Sequence, residues 1–241
     1  VSIDRVMGDI EQVLDLSIDA EGYIISDNQD NTVDLSGLDF EKMRRDFEKK
    51  HKNTEVQKLK NKIEQVLNDM VEKNKTRTDY LERFEAMIAE YNAGSKNVDL
   101  IYKDLVDFAE ALSDEQKRHI QESLTEEELA LFDILLKPEM QLDQKDKQQV
   151  KKAARSLLET LKNEKLVLDW RKKQQARAEV LYTIETVLDS DLPRSYSAEV
   201  FRKKCEVVYQ HIYDNYYGAG RSLYSIVKTN LRSTGRTPVY M

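Results

Sequence analysis

The chain has 241 residues, of which 40% are hydrophobic and 34% are charged, with seven glycines and three prolines. This length and apolar content are enough to bury a core, which excludes a disordered tail, and the few glycines and prolines favour an all-α fold over a sheet fold. The single cysteine, Cys205, excludes an internal disulfide. No apolar run approaches the roughly 20 residues that span a bilayer, so we expect a cytoplasmic protein without a membrane segment.

The net charge of −7 is unevenly divided along the chain. Residues 1–150 carry 21 Lys/Arg against 35 Asp/Glu, a net −14, whereas residues 151–241 carry 17 against 10, a net +7. We therefore expect the two ends to prefer different partners. The chain begins at Val1 and shows no signal segment, which we interpret as a piece of a longer protein.

Helical periodicity begins near the N-terminus. Apolar residues at a spacing of three and four predict a first helix from about Ile3 to Leu16. A short second helix follows Ser36 and Gly37, with Phe40 and Met43 on its apolar face.

A longer periodic pattern runs from Thr54 to Asn92 and is divided by the polar segment NKTRT at residues 74–78. One helix of about 40 residues and two helices joined at this segment both fit the pattern, and Thr76 with Asp79 could form a capping box at such a joint. Because no glycine or proline interrupts the pattern, we favour one long spine helix.

The second half predicts a helical bundle. Helices are expected from Val98, after the capping box of Thr125 and Glu128, after Asp143, after Asp169, and from about Ser197 to the glycines at 218 and 220. The predicted organisation is a single elongated region: acidic helices and spine at 1–96, a bundle at 97–220 and a basic tail at 221–241.

Motifs for catalysis are absent from the sequence. His51, His119 and His211 fall on separate predicted helices, without the close spacing of metal ligands, and no glycine-rich phosphate loop occurs. Cys205 and His211 are about 120° apart around one helix, so we interpret Cys205 as a core residue. Glu139, Asp143 and Lys145 imitate a nuclease pattern, but at a helix boundary rather than on a sheet. We expect no catalytic, cofactor or metal site in this chain.

A basic cluster follows the only tryptophan, in the segment LVLDWRKKQQARAEV at residues 166–180. Asp169 is a good helix N-cap, but cations in the first turn that follows oppose the helix dipole. The candidate partner-binding or DNA-binding residues are Arg171, Lys172, Lys173 and Arg177, together with Arg202, Lys203 and Lys204. A solvated helix face, contact with DNA phosphates and contact with an acidic protein surface all fit this cluster.

Five segments in order resemble one known family, the C-terminal helical region of the restriction subunit (HsdR) of type I restriction-modification enzymes. They are VDLSGLDFEKM (33–43), NKTRTDYLERFEAMIAEYNAGS (74–95), SLTEEELALFDILLKPE (123–139), LVLDWRKKQQARAEV (166–180) and KCEVVYQHIYDNYYG (204–218). The resemblance covers most of the chain.

The resemblance implies a non-catalytic module of an ATP- and Mg-dependent site-specific deoxyribonuclease, with those cofactors held elsewhere in the parent protein. It implies docking of the motor onto the methyltransferase core of modification (HsdM) and specificity (HsdS) subunits, with DNA bound through the full complex. The alternative is a DNA-guiding basic surface behind the motor. In this picture Asp169 and Trp170 are structural, while Arg171, Lys172, Lys173 and Arg177 face a negatively charged partner.

Overall fold

A computed structural model describes residues 35, 37–137 and 142–225 of the chain. The described residues form eight α-helices: α1 (Phe40–Asp46), α2 (Lys52–Lys73), α3 (Thr78–Asn92), α4 (Val98–Gln121), α5 (Glu126–Leu136), α6 (Gln144–Thr160), α7 (Gln174–Asp191) and α8 (Ala198–Asn215). A small antiparallel hairpin of β1 (Tyr216–Gly218) and β2 (Arg221–Ser222) follows. The all-α prediction is confirmed. The helix predicted from Ile3 to Leu16 and most of the basic tail lie outside the described residues.

The helix starts follow from local capping chemistry. Thr125 and Glu128 form the predicted capping box at α5, in which each side chain bonds the backbone N–H of the other residue. Asp143 accepts a hydrogen bond from the backbone of Asp146 at 2.7 Å and so caps α6. Ser197 caps α8 in the same way. These three starts are confirmed as predicted.

The long spine helix is not formed. Asn74 has an extended backbone, with φ −141° and ψ 97°, and a 3₁₀ turn at Lys75–Arg77 separates α2 from α3. The Thr76–Asp79 capping box is also absent, because the Thr76 hydroxyl donates to Asn74 Oδ1 at 2.8 Å instead. The prediction of one helix was therefore wrong, and the alternative of two joined helices is correct.

The first half of the described chain has its own apolar packing. The helices α1, α2 and α3 all pack against α4. Residues such as Ile63 and Leu105 are fully buried there, and the ring of Phe47 stacks on Tyr102 with centroids 3.7 Å apart. The predicted short second helix is confirmed, with Met43 buried.

A second apolar core fills the bundle of α5, α6, α7 and α8, and its buried residues run from Leu124 to Tyr224. Cys205 is buried in this core, as predicted. Ala176 and Val180 place one face of α7 in this core, while Ala178 is exposed. None of the described helices has the length and apolarity that crossing a membrane requires.

Candidate interaction surface and its support

A buried polar layer lies where α2, α4 and α5 meet, and the sequence analysis missed it. Arg77 donates from Nε to Glu115 at 2.9 Å and from Nη1 to Glu126 at 3.2 Å, while its side chain is only 3% exposed. Burial opposes the charge of Arg77, but the facing carboxylates of Glu126 and Glu115 hold the pKa of its guanidinium above the usual value. The layer is therefore a set of buried charges that are matched by close partners.

Asn74 and Arg118 extend this layer to a third carboxylate, that of Asp133. The amide of Asn74 donates to Asp133 at 2.8 Å, and the guanidinium of Arg118 donates to the same carboxylate. Asn74 is fully buried. Its amide reaches Asp133 from an extended backbone, which explains why the helix stops at Lys73. The signal in the sequence was the polar segment at residues 74–78, but its partners are 38 to 59 residues away along the chain.

Trp170 is fully buried, as predicted, and it joins the turn at 166–173 to the C-terminal hairpin. Its indole Nε1 donates to the carbonyl of Tyr216 at 3.0 Å, and its ring meets Tyr213 edge-on at 5.9 Å. The hairpin replaces the predicted glycine C-cap, because α8 ends at Asn215 and the chain continues in an extended conformation.

Asp169 is not the predicted N-cap. Its backbone is left-handed, with φ 57°, its side chain makes no capping hydrogen bond, and α7 begins only at Gln174 after a 3₁₀ turn. The carboxylate of Asp169 instead lies 3.1 Å from the ammonium of Lys172. The indole of Trp170 thus enters the core from a tight turn rather than from the first turn of a helix.

Two of the candidate cations serve the fold. Arg171 donates to the carbonyls of Tyr216 and Asp214 at 3.1 and 2.9 Å, and its guanidinium lies 4.5 Å from the ring centre of Tyr217. Lys204 is buried and donates to the carbonyl of Ile134 at 2.7 Å and to that of Lys137, near the end of α5.

Burial lowers the pKa of Lys204 to about 8. The prediction that Lys204 faces a partner was wrong, because its periodic position on α8 points its side chain at the end of α5. The sequence alone did not show that the carbonyls of Ile134 and Lys137 would accept hydrogen bonds from Lys204.

The other candidate cations lie at the surface. Lys172, Lys173, Arg202 and Lys203 are exposed, and Arg177 is half-buried with a hydrogen bond to the carbonyl of Arg171. They do not form one patch. Arg171 contacts Asp214, and Asp214 lies about 18 Å along α8 from Arg202, at a rise of ~1.5 Å per residue. Lys172 and Lys173 therefore lie at one end of the α7–α8 pair, and Arg202 and Lys203 lie at the other.

His211 has a buried position between the two cores. Its Nδ1 lies 3.1 Å from the amide nitrogen of Asn215, and its Nε2 lies 3.3 Å from the hydroxyl of Tyr224, which donates to the carbonyl of Lys73. Burial lowers the pKa of His211 to about 4, and Lys75 adds to this while Asp214 opposes it. A neutral imidazole with its proton on Nε2 satisfies both neighbours.

The nuclease-like pattern finds no support at its described positions. Asp143 is a helix cap, and Glu139 lies outside the described residues. Within residues 37–137 and 142–225, no group of three or more His, Cys, Asp or Glu side chains is placed to hold a metal ion.

Comparison with known proteins gives one result for function. A family model described as "Type I restriction enzyme HindI endonuclease subunit-like, C-terminal" matches residues 2–214. No curated protein and no solved structure matches the chain.

Proposed function

The chain belongs to the family of C-terminal regions of type I restriction enzyme HindI endonuclease subunit-like proteins, and from this premise we propose that it is a non-catalytic assembly module. In this proposal the module docks the ATP-dependent translocase and nuclease of its parent subunit onto the methyltransferase core. The modification and specificity subunits are the partners, and ATP, Mg²⁺ and DNA are bound elsewhere in the full complex.

The observation that supports the proposal is that some cations of the bundle bond the fold internally, whereas others are exposed to solvent. Arg171 and Lys204 make hydrogen bonds to backbone carbonyls inside the fold. Lys172, Lys173 and Lys203 project from the surface, where they are available to a negatively charged partner. Lys172 and Lys173, which are adjacent at one end of the bundle, are suited to an acidic patch on another subunit.

A competition experiment tests the proposal. A labelled full-length subunit is bound to the purified modification–specificity complex, and the 241-residue chain is added as a competitor while fluorescence anisotropy is recorded. We expect the chain to displace the labelled subunit. Failure of a folded chain to compete at any concentration would contradict the docking function.

Charge variants of the competitor provide the matched control. Lys172→Glu with Lys173→Glu changes the proposed surface, whereas Lys145→Glu with Lys152→Glu changes two exposed cations of α6. Both variants alter the net charge equally. We expect the first variant to compete several-fold less well and the second to compete as the original chain does.

The second candidate function is a DNA-guiding surface, for which the exposed Arg202 and Lys203, at the opposite end of α8 from Lys172 and Lys173, would supply phosphate contacts. Phosphate contacts release counterions, so such a surface would bind duplex DNA with an affinity that falls steeply with salt. Absence of DNA binding by the chain at low salt would remove this candidate.

A further inference from the structure

The turn at residues 166–173 exposes two large aliphatic side chains. Leu166 and Trp170 are buried, but Val167 is 48% exposed and Leu168 is 56% exposed. Exposed single apolar residues are common on protein surfaces, whereas two adjacent ones at the tip of a turn form a continuous apolar projection. This projection is not explained by the packing of the bundle.

The backbone of this turn is fixed so that neither side chain turns inward. The N–H of Ala219 donates to the carbonyl of Leu166 at 2.8 Å, and the N–H of Trp170 donates to the carbonyl of Val167 at 3.2 Å. The hairpin packs closely behind the turn, because a Cβ added to Gly218 would lie 2.2 Å from the carbonyl oxygen of Val167.

Left-handed backbone at Asp169 completes the turn, with φ 57° at a residue that has a side chain. Such a conformation costs free energy and persists only where the surrounding contacts enforce it, often at functional sites. The exposure of the aliphatic pair is therefore built into the fold.

Net positive charge lies beside the apolar projection. Residues 164–179 contain five cationic residues and three carboxylates, those of Glu164, Asp169 and Glu179. The side chain of Lys172 is 81% exposed and reaches only the carboxylate of Asp169 among the described residues, and Lys173 is exposed beside it. Lys165 lies 3.9 Å from Glu164 and Lys172 lies 3.1 Å from Asp169, so the net positive charge beside Val167 and Leu168 is modest and is presented by the exposed side chains of Lys172 and Lys173.

We propose that residues 167–173 form a docking knob for a protein surface that has an apolar recess bordered by Asp and Glu carboxylates. This inference rests on the proposed docking function and names the chemistry of the partner. Val167 and Leu168 would fill the recess, and Lys172 and Lys173 would meet the carboxylates. The rigid turn presents all four side chains without the loss of conformational entropy that ordering a loop would add.

The aliphatic pair favours a protein over DNA as the partner. Apolar side chains gain free energy by leaving water, by about 25 cal/mol for each Å² buried, and a phosphate backbone offers them no apolar surface to cover. The cations alone fit both partners. Val167 and Leu168 therefore decide between them.

The test removes the apolar contact and keeps the charge. The double variant Val167→Ser with Leu168→Ser is made in the full-length subunit, and calorimetry measures its affinity for the purified modification–specificity complex without DNA. We expect binding at least tenfold weaker than that of the unchanged subunit, because the recess would then face hydroxyl groups. Thermal melting verifies that the variant is folded.

Two matched variants control for loss of an exposed apolar residue elsewhere on the bundle. Tyr182 on α7 is 70% exposed and Val207 on α8 is 45% exposed, and each is changed to Ser in its own variant. Neither belongs to the knob, so both variants should bind the complex as tightly as the unchanged subunit.

Charge reversal tests the second half of the knob. Lys172→Glu with Lys173→Glu should slow association with the complex several-fold and weaken its salt dependence, because like charges would then face each other. A duplex DNA without a recognition site is titrated in parallel, and its affinity should not change in the serine double variant.

The outcomes separate the knob from the docking function. If the unchanged subunit does not bind the complex, the proposed function fails. If it binds, but the serine double variant binds equally well, the knob is wrong and the docking function stands. If the serine variant retains the complex while charge reversal abolishes only DNA binding, the turn contacts DNA and the knob is again overturned.

Discussion

Among the described residues, the segments at 74–78 and 166–173 both separate helices, and they bury opposite kinds of side chain. At residues 74–78 a 3₁₀ turn carries Asn74 and Arg77 into a layer of carboxylates. At residues 166–173 a second 3₁₀ turn carries Trp170 into an apolar core and leaves its lysines in solvent. Both interruptions lie in segments that supported the family resemblance.

The comparison shows that the side chain to be buried decides where a helix stops. A continuous helix through residues 74–78 would keep Asn74 from reaching Asp133. A helix that began at Asp169 would place Trp170 in its first turn. In each segment the backbone gives up helical hydrogen bonds so that one side chain finds its partner. The charges in these segments therefore have different roles, internal at Arg77 and external at Lys173.

Replacing the tryptophan should have the largest effect of the changes considered. Trp170→Ala removes a fully buried indole and its bond to Tyr216, so we expect a loss of about 3–5 kcal/mol of unfolding free energy. Chemical denaturation measures the loss. Tyr182→Ala, at an exposed aromatic residue, is the control and should cost less than about 1 kcal/mol. Equal midpoints for the two variants would contradict a structural role for Trp170.

The polar segment should be nearly as sensitive. Arg77→Ala leaves the carboxylates of Glu115 and Glu126 without their buried partner, and we expect a loss of about 3 kcal/mol in the same measurement. Arg44→Ala is the control, since Arg44 pairs with the more exposed carboxylates of Asp107 and Glu110 and should cost less than about 1 kcal/mol. A loss no greater than that of the control would show that the polar layer is not a buried structural element.

Acid should destabilise the fold through His211, which contacts Asn215 and Tyr224. Burial depresses its folded pKa to about 4 from 6.5, so the unfolded chain binds the proton first as the pH falls. This contribution to stability is present above pH 6.5 and is lost as the pH falls towards 4. Between pH 7 and pH 5 it amounts to about 2 kcal/mol.

The variant His211→Gln isolates this contribution from that of the other acids. Denaturation is measured from pH 7 to pH 5 for both proteins, and the variant should lose less stability over that range. An identical slope for the two proteins would contradict the buried, neutral state of His211.

The smallest effect on stability is expected at the exposed lysines. Lys172→Glu with Lys173→Glu should change the unfolding free energy by less than about 0.5 kcal/mol, because neither ammonium is buried and acids suit the start of a helix. In the full-length subunit the same variant should reduce restriction activity several-fold while ATP hydrolysis remains. A large loss of stability would mean that the second segment, like the first, uses its charges internally.

The fold was largely predictable because its signals are local. Caps at Thr125, Asp143 and Ser197 depend on residues three positions apart, and they appear as predicted. The interruption at Asn74 was missed in favour of one long helix, because its cause is a contact with Asp133 that sequence periodicity does not contain. The start of α7 was misplaced for a similar reason, since the turn at Asp169 depends on the hairpin at Gly218.

The site was predictable only in part. The sequence identified Lys172 and Lys173 as candidate contacts, and the structure places both at the surface. The sequence did not distinguish these two lysines from Lys204. A lysine that bonds buried carbonyls and a lysine in solvent are the same residue type and have similar neighbours in the sequence. Whether the exposed lysines bind a partner stays a prediction.

The C-terminal hairpin has a consequence for how far this region can be shortened. The family match ends at residue 214, but the carbonyl that accepts the indole proton belongs to Tyr216, and Tyr224 reaches back to Lys73. A chain shortened at residue 214 would lose both contacts and would open one side of the Trp170 pocket to water. The C-terminal end of α8 would then be more susceptible to proteolysis. The packing of this region therefore extends to residue 224, past the last residue that the family model matches.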